Sequence, residues 1–206
     1  MNQKKLQHAE ALFLQKYPEG FSNPEMQALG KKHKVEKMVS LSQESFAKAN
    51  FKDNHEVAES MIKVVSRSSM VSMFEKPKFR DYVRSLDTNE LKPLVNGLKG
   101  FLHGDQQKGF EAMVASLKPA KLAKWSLITI IPNYYFPDDE VFVKPTTAKN
   151  VLKYFEIDDP VYKPTPSWDF YKKYRKLIND SKGLVDSSLS PSNAAFSGFL
   201  MMTVKK

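Results

Sequence analysis

Residues 125–178 read WSLITIIPNYYFPDDEVFVKPTTAKNVLKYFEIDDPVYKPTPSWDFYKKYRKLI, and we expect this aromatic segment to decide the fold. It contains both tryptophans, six of the eight tyrosines and six of the twelve prolines of the chain. Large rigid side chains held between proline turns bury much apolar surface at a low cost in conformational entropy. The aromatic segment is therefore predicted to be the structural centre of the protein.

Two helices with a loop between them are predicted within the aromatic segment. Residues 146–156 present Val151 and Leu152 on one apolar face, and residues 168–178 repeat the pattern. The intervening stretch, 158–167, contains three prolines and is predicted to be an extended, ordered loop.

The apolar run at 128–131 is ambiguous, because its β-branched residues also suit a buried strand. The only comparable stretch is 140–143, and two strands of that length do not make a stable sheet on their own. We therefore predict that the chain is helical from 119 to 132.

Helical spacing of apolar residues also dominates outside the aromatic segment, most clearly in the stripe from Leu91 to Leu102. The pattern from Met26 to Phe46 is helical too, with a break or bend predicted near Gly30. We predict an all-α fold, a single-domain bundle of about nine or ten short helices over residues 1–206, with at most a minor two-stranded element.

Composition excludes several classes of protein. The chain has no cysteine, which rules out disulfides, thiolate zinc sites and cysteine nucleophiles. Its first residues lack the uninterrupted apolar core of a signal peptide, and no stretch approaches the roughly 20 apolar residues of a membrane span. We therefore expect a cytoplasmic protein without a membrane partner.

Motifs of common catalytic sites are missing from the sequence. There is no GxxxxGKS/T or GxGxxG phosphate loop and no GxSxG nucleophile turn, and the four histidines are widely separated. The acidic run Asp138–Glu140 is interpreted as a solvent-exposed turn after Pro137. We expect no catalytic residue, no metal and no cofactor.

A net charge of +9 favours contact with polyanions, although charge of this size also serves solubility. The best candidates for binding lie on and beside the helices predicted at 146–156 and 168–178. Lysine and arginine neutralise phosphates, aromatic rings stack on bases, and the amides at a helix start receive a phosphate. The candidate residues are Lys144, Thr146, Thr147, Lys149, Lys153, Tyr171, Lys172, Lys173 and Arg175. The alternative is that the aromatic residues are core and the cations are their solvated rim.

A second cationic cluster, Lys31, Lys32, Lys34 and Lys37, lies beside the bend predicted near Gly30. A functional interpretation makes it an anion-binding knob together with His33. The simpler interpretation, which we favour at this point, is a solvated helix face.

Three motifs resemble an uncharacterised family of bacterial proteins. They are KW at 124–125, FVKPTTAKNVLKYF at 142–155 and PTPSWDFYKKYRKL at 164–177. That family pairs a Lys-Pro-Thr helix start with a P-x-W-x-x-Y motif and a C-terminal apolar segment, which here is 191–203. The resemblance implies a bacterial, cytosolic source and no enzymatic activity.

The predicted function is that of a non-enzymatic cytoplasmic binding module that associates with nucleic acid or another polyanion. The alternative is a protein-interaction or oligomeric scaffold that binds a protein partner or itself through the Phe- and Met-rich residues 191–204. A third hypothesis is an enzyme whose site is dispersed along the sequence.

Overall fold

The computed structural model describes residues 1–204, and within them the chain forms eleven α-helices and no strand. Residues 205–206 of the predicted domain lie outside this range. The helices are α1 (Gln3–Lys16), α2 (Pro24–His33), α3 (Val35–Ser45), α4 (Asn54–Arg67), α5 (Glu75–Ser85), α6 (Thr88–His103), α7 (Gln106–Leu117), α8 (Trp125–Tyr135), α9 (Pro145–Tyr154), α10 (Trp168–Lys182) and α11 (Asn193–Thr203). The predicted all-α fold is confirmed, and the predicted number of helices is slightly too low.

The chain breaks between α2 and α3, close to the break or bend predicted near Gly30. Lys34 adopts the left-handed conformation, with φ 53° and ψ 36°, and it separates α2 from α3. Its backbone N–H donates to the carbonyls of Gly30 and Lys31. Gly30 itself stays helical, so the break lies four residues beyond Gly30.

Helix α8 starts at Trp125 and not near residue 119 as predicted, because Lys121 has a positive φ of 58° that a right-handed helix does not accept. The ambiguous run at 128–131 is helical, as predicted. It is buried on all sides, which explains why it shows no polar face. No helix in the described part of the chain is long and apolar enough to cross a membrane.

The buried apolar residues form one contiguous core, as expected of a single domain. Phe110 of α7 lies in its aromatic part, with ring centroids 6.2 Å from Trp125, 5.7 Å from Trp168 and 5.4 Å from Tyr171. Both tryptophans therefore pack on the same ring, and the two ends of the aromatic segment belong to one packing unit.

Helix α11 returns the end of the described chain to this core. Phe196, Phe199 and Leu200 are buried, and the Phe199 ring meets Phe13 of α1 edge-on at 5.3 Å. The phenylalanines of residues 191–204 thus face inward, while Met201 and Met202 are only partly covered.

Three buried tyrosines make the stability of this core sensitive to alkaline pH. Burial raises the pKa of Tyr134, Tyr171 and Tyr174 above the ordinary value, and the Glu140 carboxylate raises that of Tyr171 further. The folded chain therefore holds protons that the unfolded chain releases near pH 10. The resulting contribution to stability is complete below about pH 10 and is lost as the pH rises above it.

We expect a spectrophotometric titration to show these three tyrosines ionising only when the protein unfolds. Tyr174→Phe should remove one tyrosine from the ionisation step that coincides with loss of helical circular dichroism. Ionisation of all eight tyrosines while the helical signal is intact would contradict the assignment.

Candidate nucleic-acid interface

Helix α9 carries most of the predicted binding residues, and its amphipathic pattern decides which of them reach solvent. Thr147 is buried together with Ala148, Val151 and Leu152, on the face that holds α9 against the core. The exposed residues are Lys144 at the helix start and, within the helix, Thr146, Lys149 and Lys153. No acidic residue occurs between 141 and 155, so this face carries only positive charge.

The loop that follows α9 places an aromatic ring beside these lysines. The Lys149 Nζ atom lies 5.9 Å from the centroid of the partly exposed Tyr162 ring. Tyr162 also packs against Trp125, with ring centroids 6.5 Å apart. Burial raises the pKa of the Tyr162 phenol. A shallow groove of about 380 Å³ lies between α9 and this loop.

Two further lysines reach the same region through tertiary structure. Lys124 directly precedes Trp125, and the Trp125 indole N–H donates to the carbonyl of Lys163 at 2.8 Å. Both lysines are exposed. Neither lysine is among the predicted binding residues, and the only sequence signal at either of them is the KW pair at 124–125.

We call these exposed lysines, on α9 and beside the hydrogen bond from Trp125 to Lys163, the lysine face; its residues are Lys124, Lys144, Lys149, Lys153 and Lys163. Among residues 1–204 none of the five makes an ion pair. The groove is lined by two acidic residues, Glu156 and Asp158, as well as by Lys149 and Lys153. Glu156 is bound by the Lys5 Nζ atom at 2.8 Å, and this bond holds the pKa of the Glu156 carboxyl below its usual value.

The candidates on α10 have a different environment. Tyr171 is completely buried, so its ring is not accessible to a base. The Arg175 guanidinium lies 5.5 Å from the ring centroids of both Trp168 and Tyr171 and forms an ion pair with Glu140. Tyr171 therefore belongs to the interior of the protein, and Arg175 is a partly buried side chain whose charge is already paired.

Glu140 is the centre of this buried polar network. The prediction that Asp138–Glu140 is a solvent-exposed turn is therefore wrong for Glu140. Its carboxylate accepts hydrogen bonds from the Tyr171 hydroxyl at 2.6 Å and from the Gln106 amide at 3.0 Å, and it pairs with Arg175. Asp138 and Asp139 are exposed, as expected. The network joins α7 and α10 to the segment between α8 and α9.

The predicted lysines of α10 are exposed, and one of them is paired with an acidic residue of the loop that follows α9. Lys173 contacts Asp159 at 3.1 Å and Asp169 at 3.2 Å, and its hydrogen bond to Asp159 raises the pKa of the Lys173 ammonium. Lys172 is exposed without an ion pair within residues 1–204. Asp159 belongs to the loop after α9, so the predicted residues divide into two groups and not one continuous patch.

Polar side chains elsewhere in the described chain do not converge on an accessible site. Within residues 1–204 no three His, Asp or Glu side chains come together as a metal site would require. His33 contacts the Ser69 hydroxyl at 2.8 Å, and His103 contacts the carbonyl of Phe46 at the same distance. The network at Glu140 is buried and contains one carboxylate.

The fold and the site define an all-α, single-domain protein with a basic surface around a partly exposed aromatic ring. Comparison with protein-family models, with curated proteins and with solved structures finds no match. The resemblance of the motifs around Trp125, Pro145 and Trp168 to a bacterial family therefore stays a prediction.

Proposed function

We propose that this protein is a non-enzymatic binding module for nucleic acid, and that the lysine face holds the phosphates of a single strand. The observation that carries the proposal is the set of five exposed lysines without ion pairs within residues 1–204, of which Lys149 lies over the Tyr162 ring. Lysines that neutralise phosphates release the condensed counterions of the nucleic acid, which supplies much of the binding free energy.

A single strand suits this surface better than a duplex does. Tyr162 presents part of its ring beside Lys149, and a base in a single strand is free to stack on an aromatic ring. The surface is a shallow groove between α9 and the following loop. Reading the major groove of a duplex instead requires a helix or a two-stranded ribbon that enters it.

Charge reversal on α9 tests the proposal. We expect the double variant Lys149→Glu, Lys153→Glu to bind a fluorescent dT oligonucleotide at least tenfold more weakly than wild type at about 50 mM salt, because two phosphate contacts become repulsive. Fluorescence anisotropy measures the affinity, and circular dichroism checks that the helices are intact. Both positions are exposed, so we expect the fold to be retained.

The matched control reverses two other exposed lysines, Lys48 and Lys52, which lie in the segment before α4 and make no ion pair within residues 1–204. The double variant Lys48→Glu, Lys52→Glu changes the net charge by the same amount as Lys149→Glu, Lys153→Glu. We expect it to bind the oligonucleotide within about twofold of wild type, because only the general loss of positive charge weakens binding. Equal weakening in the two variants would contradict a localised interface. Absence of saturable binding by wild type would overturn the proposed function.

A further inference from the structure

A second group of cations lies at the junction of α2 and α3. Lys31 and Lys32 belong to the last turn of α2, Lys34 is the junction residue, and Lys37 lies in the first turn of α3. All four are exposed, and none makes an ion pair within residues 1–204. The His33 ring contacts the Ser69 hydroxyl at 2.8 Å, which joins this junction to the segment after α4.

Lys34 holds this junction in an unfavourable backbone conformation. Its φ of 53° costs a residue with a Cβ atom about 1 kcal/mol, and glycine or asparagine adopts it more easily. Lys34 is both the C-cap of α2 and the N-cap of α3, and its side chain makes no capping bond at α3. Positive charge is favourable at the end of α2 and unfavourable at the start of α3, so the helix dipoles alone do not account for the lysine at this position.

Two large apolar side chains are exposed on the neighbouring segment. Met73 and Phe74 are each 74% exposed, the highest values among the large apolar residues of the described chain. They follow Ser69 by four and five residues, so the chain keeps them within about 20 Å of it. The carboxylate of Glu75 accepts a hydrogen bond from Ser126 at 2.7 Å. The cations flanking the pair in sequence are Arg67, Lys76 and Lys78.

We infer that Met73, Phe74 and the cations around them form a docking surface for an acidic segment of another protein that carries an apolar residue. Phenylalanine and methionine are enriched in protein–protein interfaces, and methionine adapts its shape to a partner. Cations without ion pairs complement acidic side chains and steer their approach. A membrane-bound element uses a longer apolar face than two residues. The surface shares no residue with the lysine face, so separate variants test the inference and the proposed function.

The test uses a short fluorescein-labelled peptide of glutamate and leucine as the acidic probe, with the full-length protein at about 50 mM salt. We expect wild type to bind the peptide saturably. The affinity should fall at least tenfold in the double variant Met73→Ser, Phe74→Ser, which loses apolar contacts, and in the double variant Lys31→Glu, Lys37→Glu, which loses ionic contacts. A peptide with glutamine in place of leucine keeps the charge and should bind at least tenfold more weakly.

Lys48→Glu, Lys52→Glu serves again as the charge-matched control, because these lysines lie at the opposite end of α4, about 20 Å from Arg67 along the helix. It should bind the peptide within about twofold of wild type. Met73→Ser, Phe74→Ser should leave dT oligonucleotide binding unchanged, which separates this inference from the proposed function. Failure of wild type to bind the peptide would overturn the inference. The inference would also be overturned if Met73→Ser, Phe74→Ser bound the peptide as tightly as wild type does. A third contradicting result would be that this double variant loses binding to anionic lipid vesicles but not to the peptide.

Discussion

Replacement of Arg175 by methionine is expected to lower the free energy of unfolding by about 3–5 kcal/mol, because it leaves a buried carboxylate without its cation. The side chain of Glu140 is only 4% exposed, and Arg175 is its ion-pair partner. Methionine keeps much of the apolar stem that packs on Trp168 and Tyr171 but supplies neither charge nor hydrogen bonds. Urea denaturation at pH 7 measures the change.

Removing the charge of the other partner, with Glu140→Gln, should lower the free energy of unfolding less than half as much as Arg175→Met does. The Arg175 side chain is 19% exposed and can still contact water, and the glutamine oxygen still accepts the Tyr171 hydroxyl. Lys172→Met on the same helix is the matched control and should change stability by no more than about 0.5 kcal/mol. An Arg175→Met protein as stable as this control would show that the network contributes nothing.

This network marks a limit of what the sequence reveals. Glu140 follows Asp138 and Asp139, and in that acidic run nothing distinguishes it from an exposed residue. Its partners Gln106 and Arg175 lie 34 and 35 residues away, so only tertiary packing brings them together. A local device such as the cap of α6 is different, because Asp87 and Glu90 are three residues apart and form a capping box within one turn.

Replacement of Gly109 by alanine is expected to destabilise the protein by about 3 kcal/mol, because it forces α6 and α7 apart. A Cβ atom at this position would lie 2.2 Å from the backbone nitrogen of Phe101 and 2.6 Å from the backbone of Gly97 and Gly100. Backbone atoms cannot rotate away as a side chain does, so the two helices must move and their shared core must open. Thermal and urea unfolding measure the loss.

Gly30→Ala is the matched control for this substitution. Gly30 lies within α2, and a Cβ atom there would meet nothing within 4 Å. Alanine is the better helix former, so we expect Gly30→Ala to stabilise the protein by up to about 1 kcal/mol. Similar stability of the two alanine variants would contradict the close approach of α6 and α7.

Helical periodicity predicts the class of fold and the apolar faces of most helices, but it does not predict which cations are free. On α9 the same periodicity correctly separates exposed Lys149 and Lys153 from buried Val151. On α10, Tyr171 and Arg175 are four residues apart and share the inward side of the helix. Residue type alone places Tyr171 and Arg175 with the lysines, but their spacing on α10 places them on the inward side. Lys163 belongs to the lysine face only because its carbonyl accepts a hydrogen bond from Trp125, which the sequence does not reveal.

The salt dependence of binding to a dT oligonucleotide tests the central claim most directly. Five lysine–phosphate contacts to a single strand predict a slope of about −3.5 for the logarithm of the association constant against the logarithm of salt concentration. The affinity should therefore fall about 100-fold between 50 and 200 mM salt, and the variant Lys149→Glu, Lys153→Glu should show a slope of about −2. A slope near zero for wild type, or the same slope for both proteins, would contradict binding through the lysine face.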